Sequence, residues 1–119
     1  MSSVLLAEDE FLIRAVLVDA LGDAGLPCIE APTGQAAIDV VTSDTALVAV
    51  IVDLGLPDMS GERVIEAAVR YRPGLPIIQC SGSHLRPPDV AGQKIHVFPK
   101  PYNAEELSKF VAALVRGTG

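Results

Sequence analysis

From Leu47 to Val52 the chain runs through six apolar residues without a break, LVAVIV, and four of them are β-branched. A strand apolar on both faces suits the middle of a parallel sheet, where helices cover each side. The run stops on Asp53, followed by a turn built from Gly55, Pro57 and Gly61. A carboxylate at the rim of a core is costly unless something pairs with it. The rest of the chain has to supply that partner.

Similar apolar runs recur, and between them the period lengthens to that of a helix. Val4 to Ala7 reads as a short buried strand. After Glu10, residues Ile13, Leu17, Ala20, Leu21 and Ala24 share one helical face, with Gly25 as the stop. Cys28 to Ala31 is a second strand, and Thr33 can cap a helix whose inner face is Ala37, Val40 and Val41. Gly61 to Tyr71 is a helix with Val64, Ile65, Ala68 and Val69 inward, ended by Pro73 and Gly74. Leu75 to Cys80 and Ile95 to Phe98 are the fourth and fifth strands. Asn103 and Glu106 form a relative of the capping box, ahead of Leu107, Phe110, Val111 and Leu114 at helical spacing. This strand–helix alternation predicts an α/β fold, a five-stranded parallel sheet with helices on both faces.

At 119 residues the chain is expected to form one domain over 1–119, and 50% hydrophobic content suffices for its core without a metal or disulfide staple. The formal charge is −6 and basic residues nowhere form a block, which argues against direct nucleic-acid binding. No apolar run approaches the roughly 18 residues of a membrane span, and the start MSSVLLAEDE lacks the pattern of a secretory leader. A soluble, cytoplasmic protein is expected, with Cys28 and Cys80 as small buried hydrophobes. The initial methionine suits a stand-alone domain or the N-terminal part of a longer chain. His84 and His96 are too isolated to form a metal site.

In an open parallel sheet, ligands bind beyond the carboxyl ends of the strands. Glu8 and Asp9 follow the first strand, Asp53 the third, Ser81 and Gly82 the fourth, and Lys100 and Pro101 the fifth. The second strand offers nothing comparable. Asp53 thus joins a cluster of three carboxylates facing one lysine and one hydroxyl. At about 4 Å and an effective dielectric near 20, each carboxylate pair repels by roughly 4 kcal/mol as an upper bound. One lysine cannot offset three such pairs, whereas a divalent cation can, and hard oxygen ligands describe Mg²⁺.

These pieces together, Glu8-Asp9, DLGLPDMSG from Asp53, Ser81-Gly82 and Lys100-Pro101, closely resemble the receiver domain of bacterial two-component response regulators. The resemblance covers essentially the whole chain. It implies a flavodoxin-like (βα)5 fold with strand order 2-1-3-4-5. It implies that Asp53 accepts a phosphoryl group from a histidine kinase or histidine phosphotransfer protein and that the domain then alters its surface for a downstream protein. By the same resemblance, Glu8, Asp9, Asp53 and the backbone carbonyl of Gly55 hold Mg²⁺, and Ser81 and Lys100 contact the phosphoryl oxygens. Gly82 leaves room for the phosphodonor, and the bond before Pro101 is cis. The unphosphorylated domain is expected to be a monomer and not an enzyme in the ordinary sense.

Two departures from the family pattern stand out. Val97 takes the place where a Tyr or Phe often rotates on activation, and the Ser81–Lys100 stretch is short and carries Pro87-Pro88. Pro88 pushes Pro87 out of helical geometry, and Gly92 weakens any helix begun at Pro88. One turn or an irregular loop is expected there in place of a full fourth helix, and dimerisation through that face is disfavoured. Competing readings fit less well. A phosphatase or phosphomutase with an Asp nucleophile wants a second acid where Gly55 stands. A flavin domain wants a glycine- and hydroxyl-rich loop where EDEF stands, and a phosphorylation-independent scaffold would be expected to have lost Asp53 or Lys100.

Overall fold

The computed structural model describes residues 2–81, 95–100 and 103–116. Its elements are β1 (Ser3–Ala7), α1 (Phe11–Asp23), β2 (Cys28–Ala31), α2 (Gly34–Val41), β3 (Leu47–Asp53), α3 (Gly61–Tyr71), β4 (Ile77–Ser81), β5 (Ile95–Pro99) and α4 (Ala104–Val115). All strand pairs are parallel, in the order β2-β1-β3-β4-β5. This is the flavodoxin-like arrangement expected from the resemblance. The segment 82–94, for which a curtailed helix was expected, lies outside the described residues, as do Pro101 and His84.

The alternation of side chains along β1 and β3 splits the interior into two cores. Leu5, Ala7, Val50, Val52 and Ile77 pack against Ala37 and Val41 of α2 and Val64, Ile65 and Ala68 of α3. On the other face Val4, Leu6, Ala49, Ile51, Ile78 and Cys80 meet Leu17 and Leu21 of α1 and Leu107 and Val111 of α4. Burying one such Leu or Ile side chain contributes about 1.5–3 kcal/mol. The doubly covered sheet thus explains why β3 is apolar on both faces.

Local chemistry fixes the helix ends. Thr33 accepts from the Ala36 N–H at 3.0 Å, and Asn103 from the Glu106 N–H at 3.1 Å, as their sequence positions predict. Gly25 has φ 83°, a left-handed conformation that glycine adopts without penalty, and it allows the Leu26 N–H to reach the Leu21 carbonyl at 2.8 Å. β4 starts two residues later than the apolar run suggests. Pro76 has no N–H to give the ladder, but its carbonyl accepts from the Val50 N–H at 3.0 Å and so sets the register that Ile77 continues. Cys80 is buried and Cys28 half-buried; both are free thiols. Burial pushes them up to about 12 and about 11, respectively.

Candidate functional site

β1 and β3 are neighbours and run in register, Ala7 opposite Val52, so their C-terminal extensions leave the sheet side by side. That places Glu8 and Asp9 next to Asp53, and one oxygen of each carboxylate lies within 4.8 Å of the other two. Lys100 follows β5 and reaches across β4, with Nζ 3.0 Å from Asp53 Oδ2 and 3.7 Å from Glu8 Oε1. Glu8 and Asp53 are buried and Asp9 is exposed, so the cluster meets solvent at Asp9. Ser81 closes β4 opposite Pro99, at the same edge of the sheet; only its backbone belongs to the described structure.

The Glu8 carboxyl, only 2% exposed, has its pKa raised from 4.5 to about 7. Burial is the main cause, and the charge of Asp53 adds to it. The Glu10 N–H, which donates to Glu8 Oε2 at 3.1 Å, and the Lys100 charge pull the other way without prevailing. Burial by itself would lower the Lys100 ammonium, but its bond to Asp53 and the charges of Asp53 and Glu8 leave it above the ordinary lysine value.

Asp53 is aimed by its own backbone. The Gly55 N–H donates to Asp53 Oδ1 at 3.1 Å, which leaves Oδ2 to Lys100. The Gly61 N–H closes the turn onto the Leu54 carbonyl at 3.1 Å. A Cβ on Gly61 would press on the Asp53 carbonyl oxygen and lie 2.8 Å from Leu54 Cα, so the start of α3 sits on the backbone of the site because that residue is glycine.

Two residues that the sequence reading passed over also belong to the site's frame. Asp58 bridges to α2, its Oδ1 accepting from the Gly34 N–H at 2.8 Å and its Oδ2 from the Gln35 N–H at 2.9 Å. The bonds from Gln35 and Gly34 hold its carboxyl below the usual range. Met59 lies against Gly34, in space a Cβ there would need. Arg14, in the first turn of α1, folds back onto the loop that carries Glu8 and Asp9. Its signal was its isolation: no other Lys or Arg precedes Arg63. Asp58 had no comparable signal, since an acid after Pro57 reads as an ordinary turn residue.

Three convergent carboxylates with one ammonium form an all-oxygen, net negative donor set, and this fits a hard divalent cation such as Mg²⁺. Among the described residues, no helix is long and apolar enough to cross a membrane.

The model of the response regulator receiver domain family matches residues 4–112. The probable transcriptional regulatory protein TcrX of Mycobacterium tuberculosis is 30% identical over 120 residues, spanning 98% of this chain and 51% of that protein. The DNA-binding transcriptional regulator NtrC of Klebsiella pneumoniae is 29% identical over 109 residues, 89% of this chain and 23% of its own length. The chain therefore spans about half of one curated relative and under a quarter of the other. A response regulator receiver protein from Sinorhizobium medicae WSM419 superposes with a TM-score of 0.84 at 25% identity, over 99% of this chain and 97% of that one. A CheY-like receiver domain protein from Methanospirillum hungatei JF-1 has a TM-score of 0.83 at 21% identity, covering 99% of this chain and 96% of its own, a likeness of fold alone.

Proposed function

The chain belongs to the response regulator receiver domain family, and from that membership we propose that it is a phosphorylation-dependent signalling receiver with Asp53 as its phosphoacceptor. The observation that carries the reading is the convergence of Glu8, Asp9 and Asp53 within 4.8 Å, with Lys100 Nζ 3.0 Å from Asp53.

The phosphoryl donor is a histidine kinase or histidine phosphotransfer protein. An Asp53 carboxylate oxygen attacks phosphorus and the new O–P bond makes an acyl phosphate. The P–N bond of the donor phosphohistidine breaks, and the imidazole keeps the electron pair. Phosphoryl transfer depends mainly on alignment and charge neutralisation. Gly55 orients the carboxylate through Oδ1, and Lys100 is close enough to follow the charge onto the phosphoryl oxygens. Glu8, Asp9, Asp53 and the Gly55 carbonyl would hold Mg²⁺, which supplies neutralisation of the incoming phosphoryl charge. Ser81 offers a hydroxyl to the same oxygens.

The whole of 1–119 serves as one cytoplasmic receiver domain, monomeric before phosphorylation, whose altered surface is read by a downstream protein. Val97 cannot supply the swing of an aromatic side chain, so the change reaches the surface without one. Incubation with acetyl phosphate and Mg²⁺ should add one phosphoryl mass, mapped to Asp53. Label that persists in Asp53→Asn would remove Asp53 from the role.

A further inference from the structure

The loop joining β1 to α1 delivers Glu8 and Asp9, and it is gripped by a side chain the proposed chemistry leaves unused. Arg14 Nη1 donates to the Glu8 carbonyl at 3.0 Å and to the Asp9 carbonyl at 3.5 Å. Its Nε donates to Glu30 Oε1 at 2.9 Å, and its Cζ lies 5.7 Å from the centroid of the Phe11 ring. The side chain is 13% exposed, well below what a solvated surface arginine shows. We propose that Arg14 is a positioning residue for divalent-cation capture, fixing the backbone from which Glu8 and Asp9 present their carboxylates to Asp53. The inference rests on the reading of this cluster as a Mg²⁺-dependent phosphoacceptor site.

The geometry explains why an arginine is needed. The guanidinium is a rigid plane with several donors, so one group serves two carbonyls and a carboxylate at once. Glu30, in β2, occupies Nε and thereby orients the plane. β2, an edge strand that places no residue in the cluster, thus contributes its anchor. Loss of these bonds frees two consecutive peptide units immediately beside the ligands, and outer partners of this kind typically set metal affinity by about 10–100-fold.

The sign of the effect separates positioning from mere charge. A cation beside three carboxylates would, by charge alone, compete with a bound metal, so its removal would tighten binding. Removal of a positioning group weakens it. Titration calorimetry with MgCl₂ at pH 8 on the wild type, Arg14→Ala, Arg14→Lys and Glu30→Gln makes the comparison. About a 10-fold rise in Kd is expected for Arg14→Ala and a similar rise for Arg14→Lys, which keeps the charge but loses the fork. Glu30→Gln keeps an acceptor for Nε and should stay within about 2-fold of the wild type. Acetyl phosphate labelling should show the same split. The Mg²⁺ concentration giving half-maximal rate rises, and the rate at saturating Mg²⁺ is retained.

An unchanged or lowered Kd in both Arg14 variants overturns the proposal, as does a loss of rate at saturating Mg²⁺ with Kd unchanged. Should Arg14→Ala fail to fold by far-ultraviolet circular dichroism, Arg14→Lys decides alone. A wild type that takes up neither Mg²⁺ nor label sinks the phosphoacceptor reading itself, and this inference with it.

Discussion

Replacing Glu8 by Gln changes the charge of the cluster while nearly preserving its shape. In the folded protein the Glu8 carboxyl titrates at about 7 against 4.5 for a free glutamate, chiefly because it is buried. The folded state therefore holds this proton more tightly than the unfolded chain. Its contribution to stability is complete below pH 4.5 and is lost as the pH rises through about 7. At 1.36 kcal/mol per pH unit that contribution amounts to about 3 kcal/mol. For a chain of this length, about 4 °C in melting temperature accompanies each kcal/mol. In EDTA at pH 8, Glu8→Gln should therefore melt roughly 10 °C above the wild type, and near pH 4.5 the two should nearly coincide. Thermal unfolding followed at 222 nm across that pH range gives the comparison, with the other carboxylates common to both proteins. Millimolar Mg²⁺ at pH 8 should then narrow the gap, because the wild type gains a ligand that the variant has lost a donor for. A wild-type midpoint that tracks the variant at every pH, with or without Mg²⁺, would falsify the argument that charge crowds this edge.

Three further outcomes follow from particular contacts. Gly61→Ala forces a methyl against the Asp53 carbonyl and Leu54 Cα, so it should cost about 1–3 kcal/mol in urea unfolding and slow acetyl phosphate labelling as well. Asp58→Ala removes both bonds to the α2 N-terminus and should lower the melting temperature at pH 7. Because the Asp58 carboxyl titrates below its ordinary value, that stabilisation is present above about pH 4 and vanishes as the pH falls through the folded-state value, so the two proteins should converge in strong acid. Ile65→Ala empties a site with no exposure in the α3 core and should cost about 2–5 kcal/mol by chemical denaturation, with Mg²⁺ affinity unchanged.

What the sequence disclosed is what short-range rules govern. The run into Asp53, the caps at Thr33 and Asn103 and the stop at Gly25 depend on neighbours within a few positions, and each takes its anticipated form. Glu8, Asp9, Asp53 and Lys100 could be gathered because a parallel sheet puts all strand ends on one edge, a topological argument that needs no distances. Arg14 and Asp58 escaped because their roles are through-space. Asp58 serves backbone groups 24 and 23 positions away, and Arg14 binds the carbonyls of its own loop while leaning on Glu30. Periodicity also served on α1: Ile13, Leu17, Ala20, Leu21 and Ala24 form its inward face, while Phe11, Leu12 and Val16, which lie off that face, stand exposed.

The sheet order has a mechanical side. The three acids hang from β1 and β3, each laddered to strands on both flanks, whereas the lysine hangs from β5, which has β4 as its sole neighbour in the sheet. A border strand gives way at lower free energy than an interior one. The negative half of the site is thus the anvil and the positive half the moving part, so whatever tugs on the border strand adjusts the balance of charge around Asp53 while the carboxylates stay in place.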